Sequence, residues 1–426
     1  MNQLHRRTFL KFAAGSAVAF GLNPRKALAQ TAEADQVLFF IFLRGAADGV
    51  SVLHPEPGTA ARRLKYQDWR KTGTRILNGI PVAGGLAMHP ALAPLAPVLD
   101  AGHLSFVPGV AGAVENRSHF QQMDLVESGS STGAPLADGV LGRALGQLVS
   151  DEETLGALAL SPNAPFSLRR AGAPPPLSVP DFATFGALNS ATHRINAESD
   201  LKTRVQRLYV PASGLCGPTA RMCQTGVQAV GALTDLRGII DGAGVTGAFA
   251  ADVAGLLAAD TDRRIRMLSL DIGGWDTHNN QGTDSLVGGN FVGTLAKNLG
   301  GVAGLLRALH DAAVAKGVFS RLTTVVVTEF GRTTFENGTG GTDHGYGSVA
   351  FVMSEGVKAK VAPTGWFPSS VTAPFYANAE SNRALPRLIE HRQVFAEVLR
   401  KKFGLTDLTT ALPGFTYDTG APAIFA

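Results

Sequence analysis

Carboxylates and histidines recur beside short apolar runs of this chain. Asp48 follows Val37 to Leu43, Asp276 and His278 follow Ile265 to Asp271, Glu329 follows Thr323 to Thr328, and Asp343 with His344 precedes Val349 to Met353. Carboxylate oxygens and imidazole nitrogens are the donors that hold Zn²⁺, Mn²⁺ or Mg²⁺. Asp276 and His278 stand two apart in Gly273-Gly274-Trp275-Asp276-Thr277-His278, so in an extended stretch both side chains can turn to one cation, with Trp275 as a wall. His344 is enclosed by glycines in Gly340-Gly341-Thr342-Asp343-His344-Gly345-Tyr346-Gly347. Asp343 can bind the same ion or orient the imidazole from behind. A polar turn alone leaves this clustering of Asp, His and Trp unexplained.

Three further segments admit two readings each. Asp48, in Arg44-Gly45-Ala46-Ala47-Asp48-Gly49, can point into a crevice as a ligand or bond local amides in a Gly-rich turn. Ser118, in Asn116-Arg117-Ser118-His119-Phe120, stands where a helix begins; there a hydroxyl is exposed and the helix dipole favours an anion. It is either an ordinary capping serine or a nucleophile, with Arg117 clamping phosphate or sulfate oxygens. Glu329, three residues before Arg332, is a ligand or base beside an oxyanion clamp, or one half of a plain ion pair. His119 can assist Ser118, although adjacent helical positions point in different directions. His54 and His89 precede prolines and are weaker candidates, as are His103, His193, His310 and His391 in or near helical patterns.

To converge, these residues need a common edge, and the pattern of elements supplies one. Val37 to Leu43 is an unbroken apolar run, as in a strand buried on both faces. Leu104 to Val107, Leu155 to Leu160, Ile265 to Asp271, Thr323 to Thr328 and Val349 to Met353 read as further strands. Helical periodicity covers Phe120 to Glu127, Thr192 to Leu208, Asn290 to Ala315 and His391 to Phe403. Strands alternating with helices predict an α/β architecture with helices on both faces of the sheet. The carboxyl ends of parallel strands share one edge, where ligands collect. Residues 161–260 are rich in Pro, Ala and Gly and are expected to form a partly helical insertion within a single domain over 30–426.

The N-terminus carries Arg6-Arg7-Thr8-Phe9-Leu10-Lys11, an apolar run from Phe12 to Leu22, and Ala27-Leu28-Ala29, the three parts of a twin-arginine (Tat) export signal over residues 1–29. The apolar run is shorter than the roughly 20 residues that span a bilayer, so no stable membrane span is expected. Export to the periplasm or beyond makes the Tat machinery a transient partner. The formal charge of +4 includes Arg6, Arg7, Lys11, Arg25 and Lys26; without them it is −1, which removes any reason to expect a nucleic-acid partner. With 45% apolar and 17% charged residues the chain can bury a large core. Its two cysteines, Cys216 and Cys223, read better as a short-loop disulfide than as metal ligands.

Taken together, Leu43-Arg44-Gly45 through Asp48-Gly49, Asn116-Arg117-Ser118-His119-Phe120, Gly273-Gly274-Trp275-Asp276-Thr277-His278, Thr328-Glu329-Phe330-Gly331-Arg332 and Asp343-His344-Gly345 resemble the domain-of-unknown-function 1501 family of Tat-exported bacterial proteins. That family looks like a branch of the alkaline phosphatase and sulfatase superfamily. The resemblance implies a three-layer α/β/α fold with a mainly parallel central sheet, a site for one or two divalent ions (Zn, Mn or Mg), and hydrolysis of a small anionic phosphate or sulfate ester. Carried over, Asp48 and Glu329 hold one ion with Ser118 as nucleophile, while Asp276, His278 and His344 hold the other. Arg117 or Arg332 would clamp the equatorial oxygens. One departure stands out: Phe330 lies where phosphatases of the superfamily commonly have a histidine, and a phenyl ring cannot bind metal.

Overall fold

The computed structural model describes residues 35–425 except 59, 150–154, 174, 184, 186–219 and 363–364, and of residues 220–230 only the helical backbone. The export signal over 1–29, the helix expected over 192–208 and the Cys216 to Cys223 pairing lie outside the described residues or side chains.

The central sheet is built from β1 (Val37–Leu43), β2 (Leu104–Ala111), β3 (Ala157–Ala159), β4 (Leu177–Ser178), β5 (Met267–Ile272), β6 (Leu322–Thr328), β7 (Ser348–Met353) and β8 (Ile389–Glu390). Their spatial order is β8-β2-β7-β6-β1-β5-β3-β4. All neighbours pair in parallel except β7, which runs antiparallel to both β6 and β2. The α/β class with a mostly parallel sheet therefore holds, with one reversed strand inside it.

Strand β1 explains the layering. Its alternate residues Val37, Phe39, Ile41 and Leu43 enter one core, and Leu38, Phe40 and Phe42 enter the other. Each such side chain contributes roughly 1.5–3 kcal/mol by leaving water. Among the helices are α1 (Ala61–Trp69), α2 (His119–Ser128), α3 (Val140–Leu148), α4 (Ala220–Ala243), α5 (Phe249–Ala259), α6 (Thr294–Ala315) and α7 (His391–Phe403). Buried residues of α5 and α6 pack into the first core, while those of α3 and α7 pack into the second. The segment read as an insertion contributes β4 to the sheet edge and α4 and α5 to one covering layer.

Register brings the strand ends level. Leu43 of β1 lies opposite Thr328 of β6 on one side and Ile272 of β5 on the other. The chain thus leaves these strands at one height, into the loops that carry Gly45, Glu329 and Asp276. Because β7 is reversed, its amino end reaches the same edge: Ser348 pairs with Val110 near the end of β2. That reversal delivers Asp343 and His344, which precede β7, to residues that follow the other strands.

Candidate metal centre

At this edge Asp276 Oδ1 is a hub for three imidazoles. His278 Nε2 lies 3.1 Å from it, His119 Nε2 3.4 Å and His344 Nε2 3.5 Å. The Nε2 atoms of His278 and His344 are 3.0 Å apart. Ligand atoms 2.0–2.1 Å from a common ion in a tetrahedron sit roughly 3.3 Å from one another, so the spacing suits a small divalent cation. Among the described residues, His119, Asp276 and His344 form a group of possible ligands whose donor atoms all lie within 4.8 Å of one another.

Each ring is fixed from behind by an acceptor. His119 Nδ1 donates to Glu329 Oε1 at 2.6 Å, His278 Nδ1 to Asp343 Oδ1 at 3.1 Å, and His344 Nδ1 to the backbone carbonyl of Arg117 at 2.7 Å. A carboxylate or carbonyl oxygen can only accept from these rings, so each Nδ1 carries a hydrogen, and a ring in its neutral form turns its Nε2 lone pair inward. His119 Nε2 is buried and has no hydrogen-bond partner. With both rings neutral and protonated at Nδ1, the Nε2 lone pairs of His278 and His344 would face each other across 3.0 Å, a repulsion that a cation would relieve. The donor set and its orphaned nitrogen therefore fit a metal ion, and the backing acceptors are the arrangement that orients metal-bound histidines.

Electrostatics adds to this picture. The hydrogen bond to Glu329 raises the His119 pKa above the ordinary imidazole value, with burial opposing it. Burial lowers that of His344, against the pull of its bond to the Arg117 carbonyl. For Asp276, burial pushes the carboxyl up but the Arg332 guanidinium outweighs it, leaving the group below the usual carboxylate range. Asp343 is held low by Asn337, whose amide donates to it.

Local sequence makes the approach possible. Gly45 has φ +120°, and a Cβ there would lie 2.6 Å from the Asp276 amide nitrogen, so only glycine lets the loop after β1 touch the loop after β5. Gly341 is similarly confined, since its Cβ would overlap the His278 carbonyl oxygen. Arg332 ties the loops together: its buried guanidinium donates to the carbonyls of Ala46, Thr342, Gly45 and Trp275 and to Asp276.

Against the sequence reading, Asp276, His278 and His344 come together. Four other assignments change. Asp48 is no open ligand: it caps the short helix Gly49–Val52 through Val50 N and pairs with Arg70 in the interior. Glu329 stands behind His119, its other oxygen accepting from Thr328 Oγ1 at 2.9 Å. Arg332 is spent on loop carbonyls and is buried, so it cannot clamp oxygens of an incoming ester. Trp275 enters the core instead of walling the site. Asp343 lies behind His278, accepting from its Nδ1 at 3.1 Å. Arg117 uses its side chain on the carbonyls of His344 and Asn382 and on Glu115, and its own carbonyl on His344. Ser118 is the exposed N-cap of α2, and its side chain makes no capping bond.

His119 is the residue that the sequence reading leaves in a supporting role. Its signal is present in the Arg117-Ser118-His119 run at the predicted helix start, but Ser118 draws the chemistry. Phe330 backs this histidine: the rings stack with centroids 5.0 Å apart and 23° between planes, and Phe330 lies 5.3 Å from the His344 ring.

Comparison with known families and structures adds the following. The family model described as "Protein of unknown function (DUF1501)" matches residues 228–412, so the chain resembles that family across Asp276, His278, Glu329, Arg332, Asp343 and His344. Asp48, Arg117, Ser118 and His119 lie outside the matched stretch. Among solved structures, the alkaline phosphatase from the Antarctic bacterium TAB5 is similar at 10% identity and a TM-score of 0.32, over 87% of this chain and 99% of that one. The PsFucS1 sulfatase from Pseudoalteromonas sp. is similar at 10% identity and a TM-score of 0.35, over 95% of this chain and 76% of that one. No curated protein matches the chain. Among the described residues no helix is long and apolar enough to cross a membrane.

Proposed function

We propose that this protein is an exported, metal-dependent hydrolase of small phosphate or sulfate esters. The observation that carries the reading is the convergence of three imidazole Nε2 atoms on Asp276, each ring backed at Nδ1. His119, Asp276, His278 and His344 hold a Zn, Mn or Mg ion, which when bound supplies Lewis acidity to an ester oxygen. Glu329 keeps the proton on His119 Nδ1, and Asp343 keeps that on His278 Nδ1. Ser118 heads α2 with an uncommitted hydroxyl beside the free amides of the first helical turn, which favour an anion. Its Oγ bonds to phosphorus or sulfur as the ester C–O–P or C–O–S link breaks. The hydroxyl proton leaves with the departing alcohol, and water then releases phosphate or sulfate and restores the serine.

The test is a metal assay and a turnover assay on protein purified from the exported fraction. The reading expects bound divalent metal, hydrolysis of an aryl phosphate or aryl sulfate that stops on chelation and returns with metal, and loss of turnover in Ser118→Ala with metal retained. Export is read by fractionation, with the mature form absent from the periplasm when Arg6 and Arg7 are both lysine. Absence of metal and of turnover would support the second reading, a secreted binding or assembly protein that keeps the fold. That alternative is favoured by the closure of Asp48 and Arg332, two groups that a two-ion hydrolase needs open.

A further inference from the structure

We infer that the guanidinium of Arg70 is the built-in counterpart of a second cation, so that this chain binds one metal ion, at the His119 centre, and has no second ion at Asp48. The inference rests on the metal-centre reading and goes beyond it by fixing the stoichiometry and the reason for it.

Asp48 accepts five hydrogen bonds. Its Oδ1 takes Arg70 Nη2 at 2.8 Å and Val50 N at 3.2 Å, and its Oδ2 takes Arg70 Nη1 at 2.6 Å, Ser51 Oγ at 2.7 Å and Gln281 Nε2 at 2.7 Å. Arg70, which caps the carboxyl end of α1, has its five N–H groups matched as well. Beyond the two to Asp48 they reach Thr334 O at 2.8 Å, Thr333 O at 3.0 Å and Ser51 Oγ at 3.4 Å. Both side chains have zero exposure. A metal ion entering here would have to displace a bidentate pair that leaves no lone pair or donor unused, and would strand a buried guanidinium.

Gln281 links this sealed pair to the open centre. Its amide oxygen accepts from Thr277 Oγ1 at 2.8 Å and Thr342 Oγ1 at 2.6 Å, next to His278 and Asp343. Asp48 therefore touches the ligand-bearing loops only through the Gln281 amide, an acceptor contact that an asparagine oxygen can also make, and contributes no ligand itself. The missing donor at Phe330 fits the same conclusion: neither half of a second site is assembled among the described residues.

The experiment loads the full-length mature protein with excess Zn²⁺, removes free ion by desalting, and counts metal per chain by elemental analysis. The expected result is one equivalent in the natural sequence, none in His344→Ala, and one in the neutral-pair variant Asp48→Asn with Arg70→Gln, whose Zn²⁺ affinity stays within about threefold. Two equivalents in the natural sequence overturn the inference and leave the hydrolase reading standing. No metal in the natural sequence overturns the metal centre itself, and the inference with it. A neutral-pair variant that folds but loses its Zn²⁺ shows that Asp48 belongs to the ion's site. If that variant does not fold, the count on the natural sequence decides alone.

Discussion

Asp48 and Asp276 both sit on loops that leave the carboxyl edge of the sheet, yet the Asp48 side chain is fully buried and the Asp276 side chain is 48% exposed. Around Asp48 every acceptor has a donor from the protein. Around Asp276, Arg332 donates from one side, and the Nε2 atoms of three imidazoles, each bonded at Nδ1 to an acceptor behind it, face the carboxylate from the other. A buried carboxylate must be neutralised to exist at all, and Arg70 does this at folding. The other cluster is partly exposed, so water can solvate it without a built-in counter-ion. Closure at one acid marks a folding device, and openness at its neighbour is what the proposed metal centre requires.

The sharpest way to break this comparison is a crossed pair of substitutions. His344→Ala should remove metal and turnover while shifting the urea midpoint of the metal-free protein little, because the side chain is partly exposed and makes one backbone bond. Arg70→Ala should do the reverse at the level of stability. It leaves a buried, unpaired carboxylate, and removing one partner of such a pair costs about 3–5 kcal/mol. Equal destabilisation by the two would erase the distinction, and metal loss confined to Arg70→Ala would mean that the roles are exchanged.

Acid should find the sealed side next. Burial holds the His54 imidazole down to about 3 and the His89 imidazole down to about 4. His54 stacks on Tyr66 and accompanies Arg63, both on the helix that ends at Arg70. The folded protein declines a proton that the unfolded chain takes up near pH 6.5. Stability is therefore full above that pH and falls below it, by roughly 3 kcal/mol for His54 alone by about pH 4. Asp48 acts lower: burial would raise its carboxyl, but Arg70 outweighs this and holds it below 3.8, so its contribution survives above about pH 4 and is lost as pH falls through its folded value. Urea titrations of chelated protein from neutral pH down to about pH 4 should show the slope, and His54→Leu should flatten it below the ordinary imidazole range. An unchanged slope would assign acid sensitivity elsewhere.

Much of the scaffold is legible in the amino-acid sequence, and the reasons are local. Val37–Leu43 is a continuous apolar run that matches its strand, because burial on both faces leaves no polar interruption, and Thr323 to Thr328, β-branched at every position, matches the strand Leu322–Thr328 to within a residue. The reversal of β7 is not legible, since an apolar run has no direction. The helix expected from Asn290 begins at Thr294 instead, because Asn290–Phe291 pairs with Leu286–Val287 as a small ribbon. At the site, Asp276, His278 and His344 can be named from spacing and glycine context. Arg70 cannot: it lies 22 residues from Asp48 in no motif, and only the turn of α1 aims it there. His119 is masked by the neighbour that helical geometry points another way.

The smallest expected effect tests how the open centre is held. Asp343 Oδ1 accepts both His278 Nδ1 and Asn337 Nδ2, each at 3.1 Å, on a side chain that is 54% exposed. Asp343→Asn keeps an oxygen in place for the ring and removes only the charge behind it. If Asp343 orients His278, metal affinity should weaken by roughly tenfold, the low end for partners of ligating histidines, because solvent screens an exposed carboxylate. Turnover should then recover at saturating metal, since the ion's own ligands are intact. Glu329→Gln should cost more affinity, because Glu329 is wholly buried against His119 and Gly45 N and nothing there can take its place. A competitive chelator titration orders the two. Turnover that stays low in Asp343→Asn at saturating metal would make Asp343 a ligand in its own right, and the open centre would then carry two carboxylates on its ion where the geometry assigns one.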